Sequence, residues 1–220
     1  MDTEEWSGST SLDKTANQLA EEIGLTEEEI AWRKAFVGFD TEEQERMTRL
    51  GDVVSEEKEQ LTDAFLETIY AHDRTRAVVD RSSQGDDGLR RVVETYLETL
   101  TGGTYDTEYY TQRCRIGRIH DQLDLPLHHF SGMFGNVTTL FLEEIKANTI
   151  ETARNAAESD GPDAVEAAIE EGFADAMATT RCINLEMQVV NDTYESRRRE
   201  LREAINLIPD PIFELTSSRA

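Results

Sequence analysis

Apolar residues along the chain recur at intervals of three and four, and no stretch alternates at period two for long enough to form a strand. The pattern predicts an all-α protein. Thr26 with Glu29, and Thr41 with Gln44, form boxes in which side chain and backbone satisfy each other's orphan groups at a helix N-terminus. The first predicts a helix carrying Ile30, Trp32, Phe36 and Val37, and the second leads into Met47, Leu50 and Val54. From Ser55 the period continues through Leu61, Ala64, Phe65, Thr68 and Ile69 to about His72. A loop over residues 82–88 precedes a helix predicted from about 89 to 100, which Gly102 and Gly103 stop. Asp106 or Thr107 caps the next helix, which carries Tyr109, Tyr110, Ile116, His120 and Leu123. Pro126 ends it and starts another, with Leu127, Phe130, Phe134, Val137, Phe141 and Ile145 on its apolar side.

Beyond Gly161-Pro162 the apolar steps run Val165, Ile169, Gly172 or Phe173, Ala176, Thr180, Ile183, Met187, Val190, Tyr194, Leu201, Ile205 and Ile208. Spacings of three and four kept up this far describe a seam that seeks a partner helix. Residues 163–206 would span roughly 66 Å at 1.5 Å per residue, more than a compact domain of this size accommodates, so the helix is expected to protrude and to dimerise. Gly172, Ala176 and Ala178 are small enough to let a partner helix approach closely.

A length of 220 residues suits one domain, and a hydrophobic share of 38% supports a real core. Acidic residues number 46 against 22 basic ones, a formal charge of −24, which repels phosphate backbones and anionic membranes. Nucleic acid and lipid headgroups are thus poor candidates for partners. Only four of the basic residues are lysines, and a Lys-poor acidic surface resembles that of proteins from salt-loaded cytoplasm, where ions screen the self-repulsion. No run of 18 apolar residues exists and the N-terminus is acidic, so a cytoplasmic location is expected. Cys114 and Cys182 lack metal-site spacing and are expected to be packing thiols. Nucleophile elbow, P-loop, dinucleotide fingerprint and metalloprotease helix are all missing, so no enzyme is expected.

One histidine lies in a context that suggests chemistry. His120 shares a helical face with Ile116, Gly117 and Leu123, so its imidazole emerges from an apolar stripe beside a residue with no side chain. A neutral ring nitrogen pointing into a dry cavity is what an axial haem ligand requires, although a histidine packed in a core shows the same spacing.

The block Gln112-Arg113-Cys114-Arg115-Ile116-Gly117-Arg118-Ile119-His120, preceded by residues 105–109 (Tyr-Asp-Thr-Glu-Tyr), resembles the proximal-helix signature of the globin-coupled sensors, a family of haem-based aerotaxis transducers and protoglobins. Phe130-Ser131-Gly132-Met133-Phe134 resembles its continuation, Asp63-Ala64-Phe65 its distal helix, and the segments from Glu22 to Leu25 and Ile30 to Arg33 the approach to its first globin helix. The resemblance covers roughly residues 20–195. It implies a globin-like fold with an extra N-terminal helix, haem b held by His120 as metal ligand, and a dimeric four-helix bundle built from the last two helices. The implied function is binding of oxygen, or of carbon monoxide or nitric oxide, relayed to a downstream signalling domain or protein. Around the haem it places Phe65, Leu66, Tyr70, Leu89, Val92, Tyr96, Arg113, Ile116, Gly117 and Phe130. Arg113 and Arg115 match family positions, as propionate partners or as surface ion pairs.

Two distal positions depart from the family. Leu66 stands where a tyrosine is usual, and Val92 where a threonine is common. With both hydroxyls gone the pocket is expected to be apolar, with Tyr70, Thr95 or Tyr96 as the available substitutes. A competing pattern is His120-Asp121 with Pro126, which superficially resembles a histidine-kinase phosphoacceptor box, although the proline comes one residue late and no nucleotide-binding region follows. A haem-free all-α dimerisation module is the remaining alternative. The expected division is residues 1–20 as an N-terminal extension and extra helix, 21–195 as the globin-sensor domain, and 196–220 as a signalling helix. Ile205 to Leu215 in that last part resembles the start of a PAS segment.

Overall fold

The computed structural model describes residues 9–82, 85–159 and 161–206, all helix and connecting turns. The resemblance to a PAS segment falls mostly on residues 207–215, outside the described residues. In chain order the helices are α1 (Ser9–Glu22), α2 (Glu27–Val37), α3 (Thr41–Glu56), α4 (Lys58–Tyr70), α5 (Asp73–Val79), α6 (Gly85–Leu100), α7 (Thr107–Gln122), α8 (Leu127–Ser159) and α9 (Pro162–Asn206). No helix among the described residues is long and apolar enough to cross a membrane.

Local chemistry explains most boundaries. Thr26 caps α2 by accepting from the Glu29 amide at 3.2 Å, and Gly38 ends it at φ +75°, a left-handed conformation that glycine adopts without strain. At α3 the cap lies one residue earlier than Thr41, because the Asp40 carboxylate reaches the amides of Glu42 (2.9 Å) and Glu43 (3.2 Å). Asp106 caps α7 by accepting from the Tyr109 amide at 3.0 Å. Two features differ from the sequence reading. The seven-residue α5 carries no periodic signal of its own, and α6 starts four residues early, at Gly85.

The core is built around α9, which packs along α8 and α7 and takes α3, α2 and α1 against its other sides. Phe39, Met47, Leu97, Leu100, Leu185 and Val189 are essentially fully buried. Trp32 and Phe36, by contrast, are 57% and 73% exposed and stack on each other with ring centroids 5.1 Å apart. Ile30 and Trp32 stand about 200° apart around a helix, so only Ile30 of that pair turns inward.

Small residues on α9 serve a partner within the chain. A Cβ built on Gly172 would lie 2.0 Å from Thr149 Oγ1 and 2.9 Å from Thr149 Cβ on α8. We expect Gly172→Ala to destabilise the fold by about 1–3 kcal/mol through overpacking, measurable as a lower urea midpoint with unchanged slope. Part of the long seam is likewise absorbed internally, since Ile183, Val190 and Tyr194 are buried, while Ile169, Phe173 and Met177 remain 42%, 69% and 49% exposed.

Candidate functional site

His120 lies in the last turn of α7, half-buried. Its Nδ1 lies 2.8 Å from the Ile116 carbonyl oxygen one turn back. A carbonyl only accepts, so Nδ1 carries the proton and Nε2 keeps its lone pair. Burial lowers the pKa of the imidazole below its ordinary value, partly offset by the bond to Ile116, and this favours the neutral ring. The Phe130 ring from α8 meets it edge-on, with centroids 4.5 Å apart. A neutral, oriented imidazole with one free nitrogen is suited to metal ligation. A phosphoacceptor must instead be open to a nucleotide, and this ring is flanked by Phe130.

The lowered pKa makes a prediction about haem-free protein. The unfolded chain, with a histidine pKa of about 6.5, binds a proton that folded His120 resists, so stability from this group is complete above that pH and declines as pH falls below it. In His120→Gln the urea midpoint is expected to fall less steeply than wild type between pH 6.5 and 5.

α7 packs on α1 and α9, whereas α4 packs on α6 and α8, and α6 and α7 make no extended contact among the described residues. The two touch where Thr99 Oγ1 accepts from Arg113 Nη1 at 3.2 Å, toward the start of α7. Phe65, Leu89 and Ile116 are only partly buried against the core, while Leu66 and Phe130 are each 7% exposed and Val92 is 42% exposed. Of the positions the resemblance implies, Phe130 touches the His120 ring edge-on and Ile116 meets it through its carbonyl oxygen, while Phe65, Leu66, Leu89 and Val92 remain candidates on the resemblance alone.

The other four positions implied by the resemblance have partners elsewhere. Tyr70 donates its hydroxyl to Asp86 Oδ1 at 2.6 Å, an exposed tie between α4 and α6. Tyr96 donates to Glu186 Oε2 on α9 at 2.8 Å. Arg113 is 3% exposed and donates from Nε to Glu186 Oε1 at 2.5 Å, so it is not a surface ion pair. Gly117 faces α9, where an added Cβ would lie 3.2 Å from Thr193 Cβ. Its missing side chain therefore makes room for Thr193 of α9.

Glu186 escaped the sequence reading. It is 1% exposed, and it accepts from Tyr109 as well as from Tyr96 and Arg113. The available signal was its place on the seam, three residues after Ile183 and four before Val190, where an apolar side chain is the rule. Cys182 lies beside this cluster, 3.9 Å from the Tyr109 hydroxyl, and burial raises its thiol pKa. Burial pushes the Cys114 thiol up to about 12, and both cysteines are unreactive packing groups.

The all-α architecture, with a half-buried histidine in the last turn of α7 and Phe130 of α8 against its ring, is that of a globin-like protein. The family model described as Protoglobin matches residues 26–200, and the chain belongs to that family. It is 29% identical over 189 residues to the heme-based aerotactic transducer HemAT of Halobacterium salinarum, an alignment covering 86% of this chain and 37% of the relative. The chain thus spans little more than a third of that protein's length. In structure it is similar to the globin domain of the Geobacter sulfurreducens globin-coupled sensor, with a TM-score of 0.62 at 20% identity over 74% of this chain and 96% of that one.

Proposed function

We propose that the chain is the haem-binding input domain of a gas sensor, with His120 as the axial ligand. The observation that carries this reading is the His120 geometry: Nδ1 donates to Ile116, Nε2 keeps a free lone pair, and burial favours the neutral ring. Family membership and the similarity to an aerotactic transducer support it. The donor set fits haem, since a neutral imidazole and the apolar side chains of Phe65, Leu66, Leu89, Ile116 and Phe130 suit a flat, largely apolar group. When bound, haem supplies an iron centre that takes a diatomic gas.

The distal side is apolar in this reading. Leu66 brings no hydroxyl, and the hydroxyls of Tyr70 and Tyr96 are engaged by Asp86 and Glu186. A hydrogen bond to a partly charged ligand contributes about 1.5–3 kcal/mol, so its absence weakens oxygen retention by one or more powers of ten and affects carbon monoxide less. Stopped-flow oxygen dissociation tests this. Tyr70→Phe is expected to leave the off-rate within about twofold of wild type, whereas Leu66→Tyr slows it roughly tenfold or more. A slow wild-type off-rate that collapses in Tyr70→Phe contradicts the apolar pocket.

Output is proposed to pass through a homodimer. Ile169, Phe173 and Met177 on α9, with Leu142 and Ile150 on α8, are exposed large hydrophobics on the two longest helices, which suits a four-helix bundle between copies. A downstream signalling segment or partner would read the bundle, and the gas is proposed to be oxygen. No catalytic role is proposed.

A further inference from the structure

Glu186 is the most buried carboxylate among the described residues. It gathers donors from two helices besides its own. Oε1 accepts from Arg113 Nε at 2.5 Å and from the Tyr109 hydroxyl, both on α7, and Oε2 accepts from the Tyr96 hydroxyl of α6 at 2.8 Å. The Arg113 guanidinium lies over the Tyr109 ring at 4.0 Å and the Tyr96 ring at 5.3 Å. It also donates to Thr99 on α6. One carboxylate on α9 therefore fixes both helices that border the candidate site.

Position along α7 gives this cluster its bearing on His120. Arg113 precedes His120 by seven residues, two turns less about 20°, so the two residues share a face roughly 10 Å apart along the axis. Between them Gly117 lets Thr193 of α9 come close to the α7 backbone. The contact at Gly117 is van der Waals and tolerates sliding. A buried ion pair does not, because lengthening it leaves charge unpaired in a low dielectric. Any axial shift or rotation of α7 must therefore either carry Glu186 with it or break the cluster.

Resting on the haem-sensor reading, we propose that Glu186 is a positioning residue that ties the His120 helix to α9, so that a displacement of α7 passes into α9 through this carboxylate. The tie lies near the middle of α9, with some 20 residues of helix after it to carry the motion onward.

Hydrogen exchange of the ferrous holoprotein with and without carbon monoxide tests this, read over amides 109–120 and 181–196. A merely structural ion pair would change stability without changing the gas dependence of exchange. The charge-free variant Arg113→Met/Glu186→Leu leaves no unpaired charge, and its Soret shift with carbon monoxide serves as the control that haem and gas are bound. Wild type is expected to show a gas-dependent change in both segments. The variant is expected to keep the change in 109–120 and to lose at least fivefold of it in 181–196, while in haem-free protein exchange over 109–120 quickens. If the double variant does not fold, Glu186→Gln takes its place, with at least a twofold loss expected. An undiminished response of 181–196 in the variant overturns the proposal. So does a wild type that binds carbon monoxide without a change there. Wild-type protein that takes up no haem would instead fail the underlying reading.

Discussion

His120→Ala is expected to abolish tight haem binding and, with it, the gas-sensitive Soret band. The argument is one of donors. His120 is the residue at the site with a free, oriented ring nitrogen, and its Nδ1 bond to Ile116 holds that orientation. Removing even an outer partner of a metal ligand costs about 10–100-fold in affinity, so removing the ligand itself should cost more than about 100-fold. The fold should survive, because the imidazole packs mainly on Phe130, which Tyr194 also approaches with ring centroids 6.3 Å apart. Haem titration of haem-free protein, followed at the Soret maximum and beside far-UV circular dichroism, separates loss of ligand from loss of structure.

Glu186→Leu should be the most destabilising single substitution considered. It leaves Arg113, 3% exposed, without its carboxylate and removes the acceptor for the Tyr96 and Tyr109 hydroxyls. Burial opposes the charge on Arg113, and Glu186 with the two tyrosines more than offsets this, keeping the guanidinium pKa above its ordinary value. Breaking a buried pair by removing one partner typically costs about 3–5 kcal/mol, whereas replacing both by apolar groups of similar volume is often close to neutral. Urea unfolding should therefore rank Arg113→Met/Glu186→Leu well above Glu186→Leu. Equal stability of Glu186→Leu and wild type would contradict a stabilising buried ion pair.

The helices were legible where the sequence carries its own stop signals. Thr26, Asp106 and Gly161-Pro162 each mark an end through groups that satisfy or remove backbone donors, and the structure has helix ends at all of them. α5 was not legible, because Asp-Arg-Thr-Arg-Ala-Val-Val offers less than two turns and buries only Val78. His120 was legible through its neighbours in a specific block. Its partners were not, since helical spacing shows which residues share a face but not what that face meets. Arg113 and Gly117 share a face with His120 yet meet Glu186 and Thr193 of α9, and nothing within α7 announces those partners. Glu186 was hidden for a compositional reason, as one acidic residue among 46.

The account is tested most directly by the absorption spectrum of the ferrous protein with and without carbon monoxide, after reconstitution with one equivalent of haem. It predicts a sharp Soret band that shifts on gas addition in wild type and is lost in His120→Ala. Wild-type protein that retains no haem, or a band unchanged by His120→Ala, would contradict it.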